Sequence, residues 1–179
     1  MSGEVAASWR VSVRPLTPEE NTDAAGWLPE AWAAVNARTP DADAPVTVAA
    51  LRTAQDTLWP GGQLGAIEIG GLGVSGFVVW REEPSGAGPI VAIRALAVRR
   101  DQRNLGYGVE TVDRLEHDLS DRRLAAAIPR RNGLAVYFWL RAGFRPFRSD
   151  EDVERRHDPD HLWMIRSEGA LLNGAKVDP

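Results

Sequence analysis

The chain has 179 residues, of which 44% are hydrophobic and 26% charged, and its formal net charge is −4. This size and balance suit one domain over residues 1–179 with a single hydrophobic core. The negative charge excludes a typical phosphate-tracking nucleic-acid binder, and no apolar run is long enough for a membrane span.

Cysteine is absent from the sequence. Its absence excludes disulfides, thiolate metal sites and a cysteine acyl-enzyme intermediate. Residues 1–13 lack a basic stretch followed by an apolar block, so no export signal is predicted. We therefore expect a cytoplasmic protein.

The N-terminal third is predicted to hold a short strand and two helices. Val11 to Arg14 alternates weakly and precedes a proline, as an edge strand does. Thr17-Pro18-Glu19-Glu20 resembles a helix start. Helical spacing of apolar residues then predicts helices over Ala24 to Ala37 and Val46 to Leu58, joined by a polar loop.

The apolar period becomes alternating after residue 62. Gln63 to Ile69 and Val74 to Trp80 are predicted strands, and the glycines between them indicate a hairpin. Pro89 to Val98 is almost continuously apolar, which predicts a strand buried on both faces.

Helices and strands alternate in the remaining sequence. The predicted elements are a helix over Gly106 to Leu119, a strand over Leu124 to Ile128, a helix over Leu134 to Ala142, and strands over Phe144 to Phe147 and His161 to Ile165. The charged segment Ser149 to Asp160 is predicted to be a loop. This order indicates an α/β protein with a mixed, mostly antiparallel central sheet flanked by helices.

The loop after Val98 has the features of an anion site. It is basic, and Gly106-Tyr107-Gly108 opens the helix that follows. Glycines allow close backbone approach, and the first helical N–H groups carry partial positive charge. A pyrophosphate would fit, and a simple tight turn into the helix is the alternative. The third glycine of a dinucleotide fingerprint and the Gly-Lys pair of a P-loop are both missing.

Two spaced motifs resemble the signatures of the GCN5-related N-acetyltransferase (GNAT) superfamily. The first is Arg103-x-x-Gly106-x-Gly108, preceded by Val98, which resembles the family's acetyl-CoA signature. The second is Asn132-x-x-Ala135-x-x-Phe138-Trp139-x-x-x-Gly143-Phe144, which is similar to the family's Asn-x-x-Ala motif followed by an aromatic residue and Gly-Phe. The resemblance extends from about Gly62 to the end of the chain, whereas the two N-terminal helices match only in position.

The resemblance implies a GNAT-like fold with acetyl-CoA as cosubstrate. It implies that backbone groups of Leu96, Ala97 and Val98 hold the pantetheine arm. The pyrophosphate would contact backbone N–H groups of Arg103, Asn104, Leu105, Gly106, Tyr107 and Gly108. Asn132 would bond the pantetheine arm, and capping of the following helix is the alternative or additional role.

The chemistry that the resemblance implies is direct attack of a neutral amine on the thioester carbonyl. The expected acceptor is a primary amine of a small molecule. A protein or peptide acceptor and a non-catalytic CoA-binding module remain alternatives, and the chain is expected to be a monomer or a homodimer.

Two family positions hold residues that cannot do the usual acid–base work. The position of the family's tyrosine acid holds Trp139, whose indole cannot donate a proton as an acid. Trp139 is instead expected to contact the substrate. Tyr137 is the candidate acid, although its place on the helix favours an exposed tyrosine.

The second departure lies four residues before Val98, where the family often has a glutamate and this chain has Arg94. An arginine there suits a carboxylate or phosphate on the acceptor, and an ion pair with Glu68, Glu82 or Glu83 is the alternative. Glu68 is then the candidate base, with an exposed strand face as its alternative.

Two further sets of residues have candidate roles. His157-Asp158-Pro159-Asp160-His161 has metal-like spacing, but Pro159 prevents the helix that would align the histidines, so no metal is expected. Trp27, Trp32 and Trp59 are candidates for stacking on the acceptor, with core packing as the alternative.

Overall fold

One seven-stranded sheet, with strand order β1-β2-β3-β4-β5-β7-β6, forms the centre of the protein. The computed structural model describes residues 9–20, 26–36, 45, 47–85, 88–147 and 158–167. The strands are β1 (Val11–Pro15), β2 (Gln63–Ile69), β3 (Gly73–Glu83), β4 (Ile90–Val98), β5 (Arg123–Pro129), β6 (Phe144–Pro146) and β7 (His161–Arg166). Only β4 and β5 pair in parallel. The predicted mixed, mostly antiparallel sheet is confirmed.

Within the described residues, four α-helices flank this sheet. They are α1 (Leu28–Asn36), α2 (Val48–Leu58), α3 (Tyr107–Asp118) and α4 (Gly133–Arg141). The helix start predicted at Thr17 is a single 3-10 turn, in which the Glu20 carboxylate accepts a hydrogen bond from the Thr17 backbone N–H at 2.7 Å. Residues 24, 25 and 37 of the first predicted helix lie outside the described residues, as does most of the predicted loop over residues 149–160.

The helices form two layers, one on each face of the sheet. On one face α3 and α4 supply Val112, Leu115 and Trp139 to a core that includes Val98 and Ile128. Alternation along the strands sends the neighbouring side chains to the opposite face. The sheet is therefore buried on both sides near its centre.

The opposite face is covered by α1 and α2. Leu28 and Leu51 pack there against Phe77, Val79 and Ala95. Phe77 is fully buried, and burial of such a side chain stabilises the fold by about 2–3 kcal/mol. We call this face the α1/α2 face.

A buried arginine ties β7 to α3. The guanidinium of Arg166 contacts Asp113 at 2.5 Å and Glu116 at 3.3 Å, and its side chain is only 4% exposed. Burial raises the pKa of Glu116, although the positive charge of Arg166 acts in the opposite direction. No helix in the described ranges is both long and apolar enough to cross a membrane.

Candidate active site

A gap opens in the sheet between β4 and β5. Their pairing ends at Ile93 opposite Ala126, although β4 stays paired with β3 as far as Val98 opposite Gly76. Arg94 to Val98 therefore have no partner in β5, and the end of β5 has none in β4. This stretch includes the three residues expected to hold a pantetheine arm.

A β-bulge accounts for the gap. Val79 pairs with Ala95 and Trp80 with Ile93, so Arg94 is the extra residue of β4. A bulge bends its strand and increases the local twist, which carries the end of β4 away from β5. β5 also ends at Pro129, which has no N–H to donate to a neighbouring strand.

Close approach of β3 holds the far side of β4 in place. A Cβ atom at Gly76 would lie 2.2 Å from the carbonyl oxygen of Ala97. No side chain fits at that distance, so the glycine is required for the pairing. The end of β4 is thus fixed on one edge and open on the other.

The loop that follows β4 ends at a helix N-terminus without a side-chain cap. Asn104 and Gly106 are left-handed, with φ of 64° and 89°, and Gly106 is the N-cap of α3. By contrast, the side chains of Thr47 and Asn132 accept hydrogen bonds at the starts of α2 and α4. The first N–H groups of α3 are therefore available to an anion beside the gap.

The arginines around this loop have partners of their own. Nε of Arg103 donates to the carbonyl oxygen of Val98 at 2.8 Å, and its Nη1 lies 3.1 Å from Glu30 of α1. Arg99 pairs with Asp101 at 3.0 Å. The side chain of Arg103 thus braces the loop against β4 and α1.

Arg10 also lies at this loop, where no sequence motif indicated it. Its guanidinium lies 2.8 Å from Glu110 and 5.1 Å from the centre of the Tyr107 ring. One of its nitrogens would be 3.7 Å from a Cβ atom at Gly106. Arg10 is nearly 100 residues away from this loop along the chain. It lies here because β1, which begins at the next residue, packs beside α3.

The second glycine of the motif has a packing role. A Cβ atom at Gly108 would lie 3.0 Å from the Phe138 ring and 3.8 Å from Leu96. Gly108 therefore lets α3 approach both α4 and β4. Leu105 is 54% exposed at the outer side of the loop.

Asn132 connects the two helical layers beside the gap. Its Oδ1 accepts a hydrogen bond from the Ala135 N–H at 3.1 Å, which is the capping given above as its alternative or additional role. Its Nδ2 donates to the carbonyl oxygens of Ala34 at 3.0 Å and Val35 at 3.4 Å, near the end of α1. The side chain thus joins the start of α4 to the end of α1.

Comparisons with known proteins agree with this geometry. The model of the acetyltransferase (GNAT) family matches residues 29–144, which is more than half of the chain. The chain belongs to the GNAT family of acetyltransferases. The chemistry common to this family is acetyl transfer from acetyl-CoA.

Solved GNAT structures show the same fold at low sequence identity. An acetyltransferase from Thermus thermophilus is 17% identical, with a TM-score of 0.61 over 87% of this chain and 96% of that one. The PaiA N-acetyltransferase of Thermoplasma acidophilum, solved with coenzyme A, is 11% identical, with a TM-score of 0.59 over 88% and 98%. A GNAT protein from Staphylococcus aureus is 14% identical, with a TM-score of 0.58 over 87% and 98%. No curated protein sequence matches significantly.

The position of the family's acid in this GNAT protein is a packing position. Trp139 is 6% exposed, and its ring lies 5.0 Å from Phe138 and 4.8 Å from Phe144 between centres. Tyr137 is 62% exposed on the outer surface of α4. The structure therefore does not bring Tyr137 to the gap, which agrees with the exposed-tyrosine alternative.

Arg94 lies on the α1/α2 face, where it forms an ion pair with the buried Glu83. Its guanidinium also stacks on the ring of Trp163, with 4.5 Å to the centre. Arg81 contacts the same Glu83 oxygen at 2.9 Å. The alternative of an ion pair is thus realised with Glu83, and Arg94 still borders the gap.

Glu68 lies on the same face but further away. It belongs to β2, so β3 and β4 separate it from the gap by about 10 Å at the usual strand spacing. Nε of Arg14 donates to its carboxylate at 2.6 Å, and Arg14 also pairs with Glu20. Hydrogen bonds to both carboxylates raise the pKa of Arg14, so this cation persists at any ordinary pH. The structure does not bring Glu68 to the reacting centre.

The tryptophans near the N-terminus pack into the α1/α2 layer. Trp27 is 7% exposed, and the rings of Trp32 and Trp59 lie 6.0 Å apart between centres. These contacts show core packing and not an open surface for stacking. Among the described residues no group of three His, Asp or Glu side chains is arranged to hold a metal ion, and His157 lies outside those residues.

Proposed function

We propose that this protein binds acetyl-CoA in the gap between β4 and β5 and transfers the acetyl group to a primary amine of a small molecule. The observation that carries the proposal is the end of β4–β5 pairing at Ile93, directly beside an α3 N-terminus that has no side-chain cap. The gap offers unpaired strand groups to the pantetheine amides, and the helix offers N–H groups to the pyrophosphate. The coenzyme A bound to the Thermoplasma relative supports the same choice of ligand.

The cosubstrate contacts follow from these two features. Leu96, Ala97 and Val98 would hold the pantetheine arm through their backbone groups. The pyrophosphate would bind backbone N–H groups of residues 103–108, with the guanidinium of Arg10 nearby. For Asn132 to bond the pantetheine arm, its Nδ2 must leave the carbonyl oxygens of α1 that it now contacts.

The reaction would proceed by direct attack, because the chain has no cysteine to carry the acetyl group. The amine nitrogen attacks the thioester carbon, an oxyanion forms, and the C–S bond breaks to release CoA as a thiolate. A free backbone N–H of β4 at the gap, near Val98, would stabilise the oxyanion. The thiolate is a fair leaving group, so a protein acid in the place of Trp139 is not required.

The acceptor would approach from the α1/α2 face. Arg94 borders the gap on that face. It would bind a carboxylate or phosphate of the acceptor by sharing its charge between that group and Glu83.

Calorimetry with acetyl-CoA is the first test. Saturable binding is expected, and absence of binding at millimolar ligand would refute the proposal. Release of CoA thiol is then followed with two sets of acceptors, small primary amines and peptides with free N-termini. Faster release with small amines supports the proposed acceptor class, whereas faster release with peptides replaces it with peptide acetylation.

A further inference from the structure

A histidine–aspartate pair lies on the α1/α2 face at the start of β7. His161 pairs with Pro129 of β5, and Trp163 pairs with Ala127. Trp163 packs on the α1/α2 face with Ala92 and Ala127, so His161, two residues away along the strand, points to the same side. Sequence spacing had suggested only a metal motif for this histidine.

The carboxylate of Asp158 is held in one orientation by three N–H donors and by a fourth contact, with the His161 imidazole. Its Oδ1 accepts backbone N–H bonds from Asp160 at 2.9 Å and His161 at 3.0 Å, and its Oδ2 accepts the Trp163 indole N–H at 2.9 Å. Burial raises the pKa of Asp158, but these hydrogen bonds outweigh it and the pKa is lowered. The carboxylate is therefore ionised and fixed at neutral pH.

The fourth contact is to the imidazole. Nδ1 of His161 lies 3.3 Å from Oδ2 and 3.4 Å from Oδ1 of Asp158. A carboxylate at this position favours the tautomer with its proton on Nδ1, and Nε2 then carries a free lone pair. The side chain of His161 is 35% exposed, so it is partly open to solvent.

The pair lies beside the open part of the gap. β4–β5 pairing stops at Ala126, so the Pro129 end of β5 belongs to the splayed region. His161 is one strand away from the β5 edge of the gap, about 5 Å, whereas Glu68 is two strands away from the β4 edge. Arg130 holds the turn before β7 in place. Its guanidinium donates to the backbone carbonyl oxygen of Asp158 at 3.0 Å, and its backbone N–H donates to the carbonyl oxygen of Asp160 at 3.0 Å.

We propose that His161 is the general base of the acetyl transfer and that Asp158 is its positioning residue; this rests on the proposed function. As the amine nitrogen bonds to the thioester carbon, its proton passes to Nε2 of His161, directly or through one water molecule. The oxyanion then collapses and the C–S bond breaks. CoA leaves as the thiolate, and the imidazolium, balanced by Asp158, returns its proton to solvent.

The charged groups nearest to His161 are few among the described residues. Asp158 and Asp160 lie in the turn before β7, Arg130 lies at the end of β5, and Arg94 of β4 reaches across to Trp163. Asp158 is the one in contact with the imidazole, so its replacement removes the group that orients His161.

The first test does not require an identified acceptor. The histidine ring signals are followed by NMR while acetyl-CoA is added, with assignments from His161→Gln and His117→Gln variants. The His161 signal is expected to shift on binding, and that of His117, which is exposed on α3, is not. An unshifted His161 signal in protein shown by calorimetry to hold acetyl-CoA would overturn the assignment of the base alone, whereas absence of acetyl-CoA binding would overturn the proposed function as well.

The second test uses the amine that releases CoA thiol fastest. His161→Gln should lower kcat roughly 100-fold at neutral pH while KM for acetyl-CoA stays within about 2-fold. Asp158→Asn should lower kcat while KM for acetyl-CoA stays within about 2-fold, a split that a purely structural role would not produce. His117→Gln, the matched control, should keep wild-type kinetics. Equal kcat for the His161 and His117 variants would refute the proposal.

Discussion

Replacement of Gly106 by glutamate tests the anion site at the start of α3. The position has a φ of 89°, and only a nitrogen of Arg10 lies within 4 Å of the added Cβ atom. The substitution therefore adds backbone strain of about 1–2 kcal/mol but no steric clash. Its carboxylate lies where the pyrophosphate is expected.

The electrostatic penalty can be worked from Coulomb's law. Two like charges about 5 Å apart at an effective dielectric constant of about 20 repel by about 3 kcal/mol. That energy corresponds to a loss of acetyl-CoA affinity of more than about 100-fold. The carboxylate also competes for the free N–H groups, which it can cap favourably because of the helix dipole.

Two control variants separate charge from strain. Gly106→Ala adds the same strain without the charge, and should keep acetyl-CoA affinity within about 10-fold. Gly71→Glu adds the charge at a left-handed glycine of the β2–β3 turn, where φ is 80° and the surrounding space is empty. Calorimetry gives the affinities and thermal unfolding the stabilities. Equal affinity of Gly106→Glu and Gly106→Ala would refute the anion-site reasoning.

Three further predictions concern stability. Gly76→Ala should destabilise the protein by about 3 kcal/mol in urea unfolding, because its Cβ would lie 2.2 Å from the Ala97 carbonyl oxygen; an unchanged midpoint would contradict that contact. Arg166→Leu should lower the free energy of unfolding by about 3 kcal/mol or more, because it leaves two carboxylates of α3 without their buried cation. The control Arg100→Leu, at an exposed site, should leave that free energy almost unchanged. The pKa of Asp158 is lowered from its ordinary value of 3.8. Its ionised carboxylate therefore contributes fully to the stability of the fold above that pH, and this contribution is lost as the pH falls through the folded-state pKa. Melting temperatures between about pH 5 and pH 2 should therefore fall less steeply for Asp158→Asn than for the wild type.

The strands and helices were predictable because local patterns determine them. β2 was predicted with the bounds that it has, since an alternating run with glycines after it has few other solutions. β3 was predicted to end at Trp80 but continues to Glu83. Charged residues indicate a loop in a sequence, whereas the ion pairs with Arg81 and Arg94 show why Glu83 is buried in the strand.

The candidate site was predictable only where a motif marks it. The loop from Arg103 to Gly108 carries a signature, and it leads into the α3 N-terminus, which has no side-chain cap. The gap depends on one extra residue in β4 relative to β3, and a single sequence contains no information on such an offset. Arg10 and His161 reach the site through strand pairing over long sequence separations, which residue spacing does not reveal.

The gap also creates two strand edges inside the sheet. Unpaired strand edges on a protein surface tend to recruit strands from other chains and lead to aggregation. Here α1 and α2 lie over one face and α3 and α4 over the other, so the two edges are recessed. A polypeptide strand carries side chains on both faces and would collide with these layers. Pantetheine is a slender chain with two amides and only small substituents, so the geometry proposed to admit the cosubstrate would also keep the exposed edges from promoting self-association.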